Sequence, residues 1–236
     1  MKHINRLRIN CFQFLGVVLF LVPIVCTAEI VLVGPDQVSI PLPIGHCILQ
    51  EHHSVHYRLL KYLKDVNEGL NKLLYASADC EQLRNWELGR VLLNDFTNVV
   101  APIHIIDKKI DIRSDQYVSM MKKMYTEQGI ETFENRFGSW EDKANHLLKE
   151  MGRSKIDETK LLGILSSDRN ALYLGMIQNL TTETGGTKIQ AGVVALLSVN
   201  GKIISMNLYT EYRGTATVNQ LLNEVKDWAS RVQDAN

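Results

Sequence analysis

The sequence predicts an α+β fold: an antiparallel β-meander sheet flanked by helices, with one disulfide. The meander comes from four β-prone runs in the last third, residues 161–165, 171–180, 188–199 and 202–212. Ser167-Asp168-Arg169-Asn170, Gly185-Gly186 and Asn200-Gly201 separate them. The flanking helices come from apolar stripes at helical spacing on either side of these runs. The disulfide comes from the cysteine count once an N-terminal leader is set aside.

That leader is residues 1–28. Lys2, Arg6 and Arg8 give a positive start, and residues 14–25 are apolar apart from Gly16 and Pro23. Cys26-Thr27-Ala28 puts small residues before Glu29, which completes the pattern of a secretory signal peptide. The run of about 12 apolar residues is short of the roughly 20 that a membrane-spanning helix needs. Val25 stands where a lipoprotein signal wants a small residue, so lipid attachment at Cys26 is not expected. The mature chain is expected to begin at Glu29, to work in the periplasm or beyond, and to form one domain over residues 29–236. It has no second apolar run long enough to span a bilayer.

Removing the leader takes three of the 26 basic residues and none of the 26 acidic ones, leaving a net charge of −3. That balance offers no basic footprint for nucleic acid. Cys11 and Cys26 leave with the leader, so Cys47 and Cys80 remain in an oxidising compartment, where two cysteines allow one pairing.

In chain order, residues 30–33 and 37–42 read as short strands split by Gly34-Pro35. A helix follows, with Ser54 as its cap; Val55, Leu59, Tyr62, Leu63 and Val66 form its stripe and Gly69 its stop. Residues 72–78 read as a buried strand. Asp79 caps a short helix through Trp86, and residues 91–106 are strand-like up to and beyond Pro102. The middle third reads as two helices. One spans residues 114–128, with Tyr117, Met120, Met121 and Met124 on one face. The other opens at the capping-box pattern Ser139-Trp140-Glu141-Asp142 and stops at Gly152. Asn200-Gly201 is a strong hairpin signal, because a type I′ turn needs positive φ at both central residues. The last helix is read from Thr217, with Gln220 completing a capping box and Trp228 in its apolar stripe.

The meander is apolar on both faces. Leu172, Leu174 and Met176 point one way, and Ala171, Tyr173 and Ile177 the other. Layers on both sides are therefore expected, with part of one face open to serve as a groove only in the sharper reading.

Known catalytic patterns are absent: no Gly-x-Ser-x-Gly, no His-Glu-x-x-His, no P-loop and no dinucleotide fingerprint. His46, His52, His53 and His56 cluster beside Cys47. Imidazole and thiolate bind zinc, which makes His46, His52 and His56 the candidate metal ligands. Irregular spacing and a committed thiol favour solvated loop histidines instead, so no metal or other cofactor is expected.

Ile40-Pro41-Leu42-Pro43-Ile44-Gly45-His46-Cys47, followed by Tyr75-Ala76-Ser77-Ala78-Asp79-Cys80, resembles a group of small exported bacterial proteins of unassigned function. The run Gly201-Lys202-Ile203-Ile204-Ser205-Met206-Asn207-Leu208-Tyr209 and the helix around Trp228 are similar to them too. The resemblance covers about half of the mature chain. It implies an exported α+β protein and carries over no catalytic residue. The expected function is a non-catalytic exported protein that binds a partner in the envelope or a host. The alternatives are an extracytoplasmic hydrolase and a carrier of a small molecule or metal; a deep apolar pocket with converging polar groups would favour these.

Overall fold

The computed structural model describes residues 28–150, 155–182 and 185–236, with the backbone alone at residues 28, 129–137 and 139. The expected leader lies outside the described residues up to Thr27. Strands β1 (Ala28–Val33) and β2 (Asp36–Pro41) form a hairpin of their own. Then come β3 (His46–Ile48), α1 (Ser54–Asn67), β4 (Asn71–Asp79), α2 (Cys80–Glu87) and β5 (Phe96–Pro102). A 3-10 turn, Ile103–Ile105, leads to α3 (Ser114–Glu150). The meander β6 (Lys155–Ser167), β7 (Leu172–Thr181), β8 (Thr187–Val199) and β9 (Lys202–Glu211) closes on α4 (Thr215–Asp234).

Seven strands form one antiparallel sheet in the order β3-β4-β5-β9-β8-β7-β6. The chain leaves the sheet centre at β5 and crosses one face through α3. It re-enters at the far edge as β6, and the meander then walks back until β9 pairs with β5. The β8–β9 turn adopts the expected geometry, with Asn200 at φ 51° and Gly201 at φ 77°. Gly201 is needed for space as well, because a Cβ there would sit 2.8 Å from the Ile110 carbonyl oxygen.

Helix α4 and the β1–β2 hairpin close one face. Val218, Leu221, Val225, Trp228, Ala229 and Val232 recur at three- and four-residue steps and are all buried. They pack on Tyr173, Val193, Leu197, Ile204 and Met206 of the sheet and on Val38 and Ile40 of β2. The opposite face is covered by α1 and α3. Cys47 pairs in register with Ala78, beside Cys80 at the start of α2, and the two cysteines form the expected disulfide, with Cα atoms 5.0 Å apart.

Several local expectations give way to longer-range structure. α3 is one helix of 37 residues, where two were expected. Gly129 and Gly138 each cost an exposed helix only about 1 kcal/mol, and no proline interrupts the run. Ser139 therefore lies inside the helix and cannot cap it. The strand expected over residues 91–106 is confined to β5. His53, not Ser54, is the N-cap of α1, without a side-chain cap bond. α4 starts at Thr215 behind Gly214, so the Thr217–Gln220 box does not form; Thr217 Oγ1 instead accepts from the Arg213 amide at 3.1 Å. Asp79 does cap α2, accepting from the amides of Glu81 and Gln82. Among the described residues, no helix is long and apolar enough to cross a membrane.

Candidate ligand cavity

α4 lies tight against its face of the sheet, but α3 does not. Near its start, Tyr117 and Val118 are buried. Near its end, Ala144 is buried in a small cluster with Val66 of α1 and Ile156 of β6. Asn145 fixes this second contact: its amide donates to the Ile156 carbonyl at 2.8 Å and accepts from the Ile156 amide at 2.7 Å. Between the two contacts, Met121, Met124 and Tyr125 of α3 face a space over the sheet. That space is a cavity of about 700 Å³.

The floor of the cavity is the second face of the sheet. Val100 of β5, Leu174 and Met176 of β7, Val194 and Leu196 of β8 and Ile203 of β9 make it apolar. The roof is Met121, Met124 and Tyr125 of α3, with Leu59, Tyr62 and Leu63 of α1, and Trp86 of α2 closes the side. Gly192 lowers the middle of the floor, where the Tyr209 ring lies so close that a Cβ on Gly192 would be 2.9 Å from it. Tyr209 also stacks on Phe96, with ring centroids 4.9 Å apart.

Four amide side chains interrupt this floor, and all are buried: Asn98, Asn207, Gln178 and Gln190. Asn207 Nδ2 donates to Asn98 Oδ1 at 2.7 Å, and Gln178 Nε2 donates to Thr159 Oγ1 at 3.2 Å. Burial pushes the Tyr209 hydroxyl up to about 12 and raises that of Tyr62. Lys188, at one end of the floor, is shifted down by burial, against the pull of Glu211 and Asp95. The described lining residues include no carboxylate. Their titratable members are Lys188, His104 and the tyrosines.

The histidines assemble differently from the expected set. His52 is exposed and His46 sits on β3 opposite Asp79, so His46, His52 and His56 do not converge. His53 and Glu87 join His56 instead, with candidate ligand atoms within 4.8 Å of one another. His56 is not the solvated loop residue expected; it is 3% exposed in α1. Its Nδ1 accepts from the Gln50 amide at 3.1 Å, which leaves the hydrogen of neutral imidazole on Nε2. Nε2 lies 2.8 Å from Glu87 Oε1, although its N–H does not aim at the oxygen. A metal at Nε2 would have to displace that hydrogen and break the Gln50 bond, while His53 Nδ1 and His56 Nε2 are buried without a hydrogen-bond partner among the described residues. Glu87 could not have been found from sequence, because its approach to His56 depends on how α1 and α2 pack.

A second, polar cleft of about 370 Å³ holds His46, Asp79, Asp95 and Thr210. Each of its four described carboxylates has a partner: Asp79 caps α2, Asp95 accepts from Gln82 and Thr210, Glu211 pairs with Arg213 and Glu224 accepts from Gln220. Ser77 lies 3.4 Å from His46 Nδ1 but is fully buried and bonded to Thr97 Oγ1 at 2.6 Å, so it cannot reach a substrate as a nucleophile.

No protein-family model matches the chain, and no curated protein matches it either. The cavity must therefore be read from its own chemistry.

Proposed function

We propose that this chain is an exported binding protein for a largely apolar small molecule, held in the cavity between the sheet and α3. The volume of that cavity carries the reading: about 700 Å³ falls within the roughly 300–1,000 Å³ typical of small-molecule sites. Its lining of aliphatic, methionine and aromatic side chains, with a few fixed amides, suits such a ligand. The signal-like leader and the disulfide support a place of action outside the cytoplasm. The exported bacterial proteins that the chain resembles are consistent with that address.

The test is titration with a neutral apolar fluorophore such as N-phenyl-1-naphthylamine. Saturable enhancement is expected for the native protein and its loss in Val194→Phe or Leu174→Phe, which fill the floor while melting near the native midpoint. No saturable binding, or binding undiminished in both variants, overturns the proposal.

A second reading, a protein partner in the envelope or a host, draws on β1. Ile30 and Leu32 are 67% and 54% exposed there. Changing both to lysine would abolish capture of such a partner and leave fluorophore binding intact.

A further inference from the structure

We infer that the ligand of this cavity is an elongated amphiphile with a single anionic group, which pairs with Lys188. The inference rests on the binding reading above and specifies the ligand class. Lys188 lines the cavity. In register it lies beside Leu180, and its neighbours two residues along the same face are Gln190 and Gln178. Among the described lining residues, Gln190, Gln178 and Thr182 are the polar neighbours of this ammonium, with Glu211 in register beside Gln190. Beyond it lie Met176, Leu174, Val194 and Leu196, up to about 27 Å along β8 at roughly 3.4 Å per residue. A cationic end and a mainly apolar track leading away, with Asn207 and Ser205 beside Val194 and Leu196, are the recognition elements for a chain-like amphiphile.

The ammonium is also uncommitted. Among the described residues the Lys188 ammonium makes no hydrogen bond or ion pair. The two carboxylates whose charges reach it are engaged elsewhere: Glu211 with Arg213 at 2.8 Å, and Asp95 with Gln82 and Thr210. A half-buried cation without a partner is costly, and its burial already shifts it toward the neutral form. An arriving anion would remove that penalty, whereas a neutral head of the same size would not. Among the described lining residues, the remaining titratable groups are tyrosines and the exposed His104, none of which is an anion at neutral pH to compete for the site.

The experiment compares dodecanoate with dodecanol as displacers of the neutral fluorophore from the native, oxidised protein at pH 7.5. Dodecanoate is expected to bind at least about tenfold more tightly, the scale of one charge-assisted hydrogen bond. Lys188→Met is expected to erase that preference and leave dodecanol affinity unchanged; Lys188→Arg should keep the preference. Equal binding of acid and alcohol to the native protein, or a preference that survives Lys188→Met, overturns the anionic assignment while the cavity reading stands. If the fluorophore binds but neither displaces it, the amphiphile class is wrong. If the fluorophore itself does not bind, both readings fall together.

Discussion

Trp228 Nε1 donates to the Pro41 carbonyl at 2.6 Å, joining residues 187 apart in the sequence. Arg231, one turn on, donates to the Leu42 carbonyl at 2.9 Å. These two bonds take up the carbonyls where β2 ends and proline stops the ladder, so α4 finishes what the strand cannot. Trp228 is fully buried between the sheet and β2. Trp228→Ala should therefore lower stability by about 3–5 kcal/mol, as large-to-small core changes do. Trp228→Phe keeps most of the bulk and should lose about 1–3 kcal/mol, the cost of leaving that carbonyl unpaired. Denaturant melts of the three proteins check both values.

Lys202 is 1% exposed, and its ammonium reaches Asp36 at 2.9 Å and the carbonyls of Ile106 and Lys108 at 3.0 and 3.2 Å. It fastens the β1–β2 turn and the loop after β5 to the start of β9. Lys202→Met should cost about 3–5 kcal/mol, because three acceptors lose a buried charged donor. Asp36→Asn should cost less, since the amide oxygen and the two carbonyls still accept from the ammonium, although the counter-charge is lost. Equal losses in thermal or chemical melts would contradict this division.

Reduction of Cys47–Cys80, or its replacement by two alanines, should destabilise the fold by about 2–5 kcal/mol. The sequence separation of 33 makes the closed loop long enough for the chain-entropy effect to be substantial. Thiol titration of the native protein should find no free cysteine among residues 29–236. Urea melts with and without reductant give the energy.

Burial lowers His46 to about 4, against the opposing pull of Asp79 and Asp95. His56 moves in the same direction, chiefly through burial and then through the charge of His53. Between about pH 6.5 and 4 the unfolded chain takes up protons that the folded chain refuses. Stability is thus full above pH 6.5 and falls as the pH drops, by about 3 kcal/mol for His46 alone. His46→Gln should flatten the profile of urea midpoints between pH 7 and 5. An unchanged slope would show that His46 does not carry it.

Features fixed by neighbours in the chain were legible in the sequence. Asn200-Gly201 specifies its hairpin through backbone angles alone, Asp79 caps from two residues away, and the Trp228 stripe needs no knowledge of its partner. Features fixed by distant contacts were not. The patterns at Ser139 and Gln220 look like caps but lie where tertiary packing carries the helix past them or starts it earlier. The two-sided apolar pattern of β7, β8 and β9 predicted layers on both faces. It could not distinguish a helix resting on the sheet from one held off it. That difference lies in where α3 makes contact, at Tyr117 and Val118 and again at Ala144, and these contacts join residues far apart in the chain. Lys188 reads in the sequence as any strand-end lysine, because its role depends on what its neighbours lack.

The two borders of the main sheet share a property. β3 is three residues long and stapled to α2 by the disulfide. β6 is long, but its pairing with β7 shifts register three times, and the Asn145 amide occupies both backbone groups of Ile156. Neither border of this sheet offers a flat ladder to an incoming strand. Such borders guard the folding chain against runaway stacking on copies of itself.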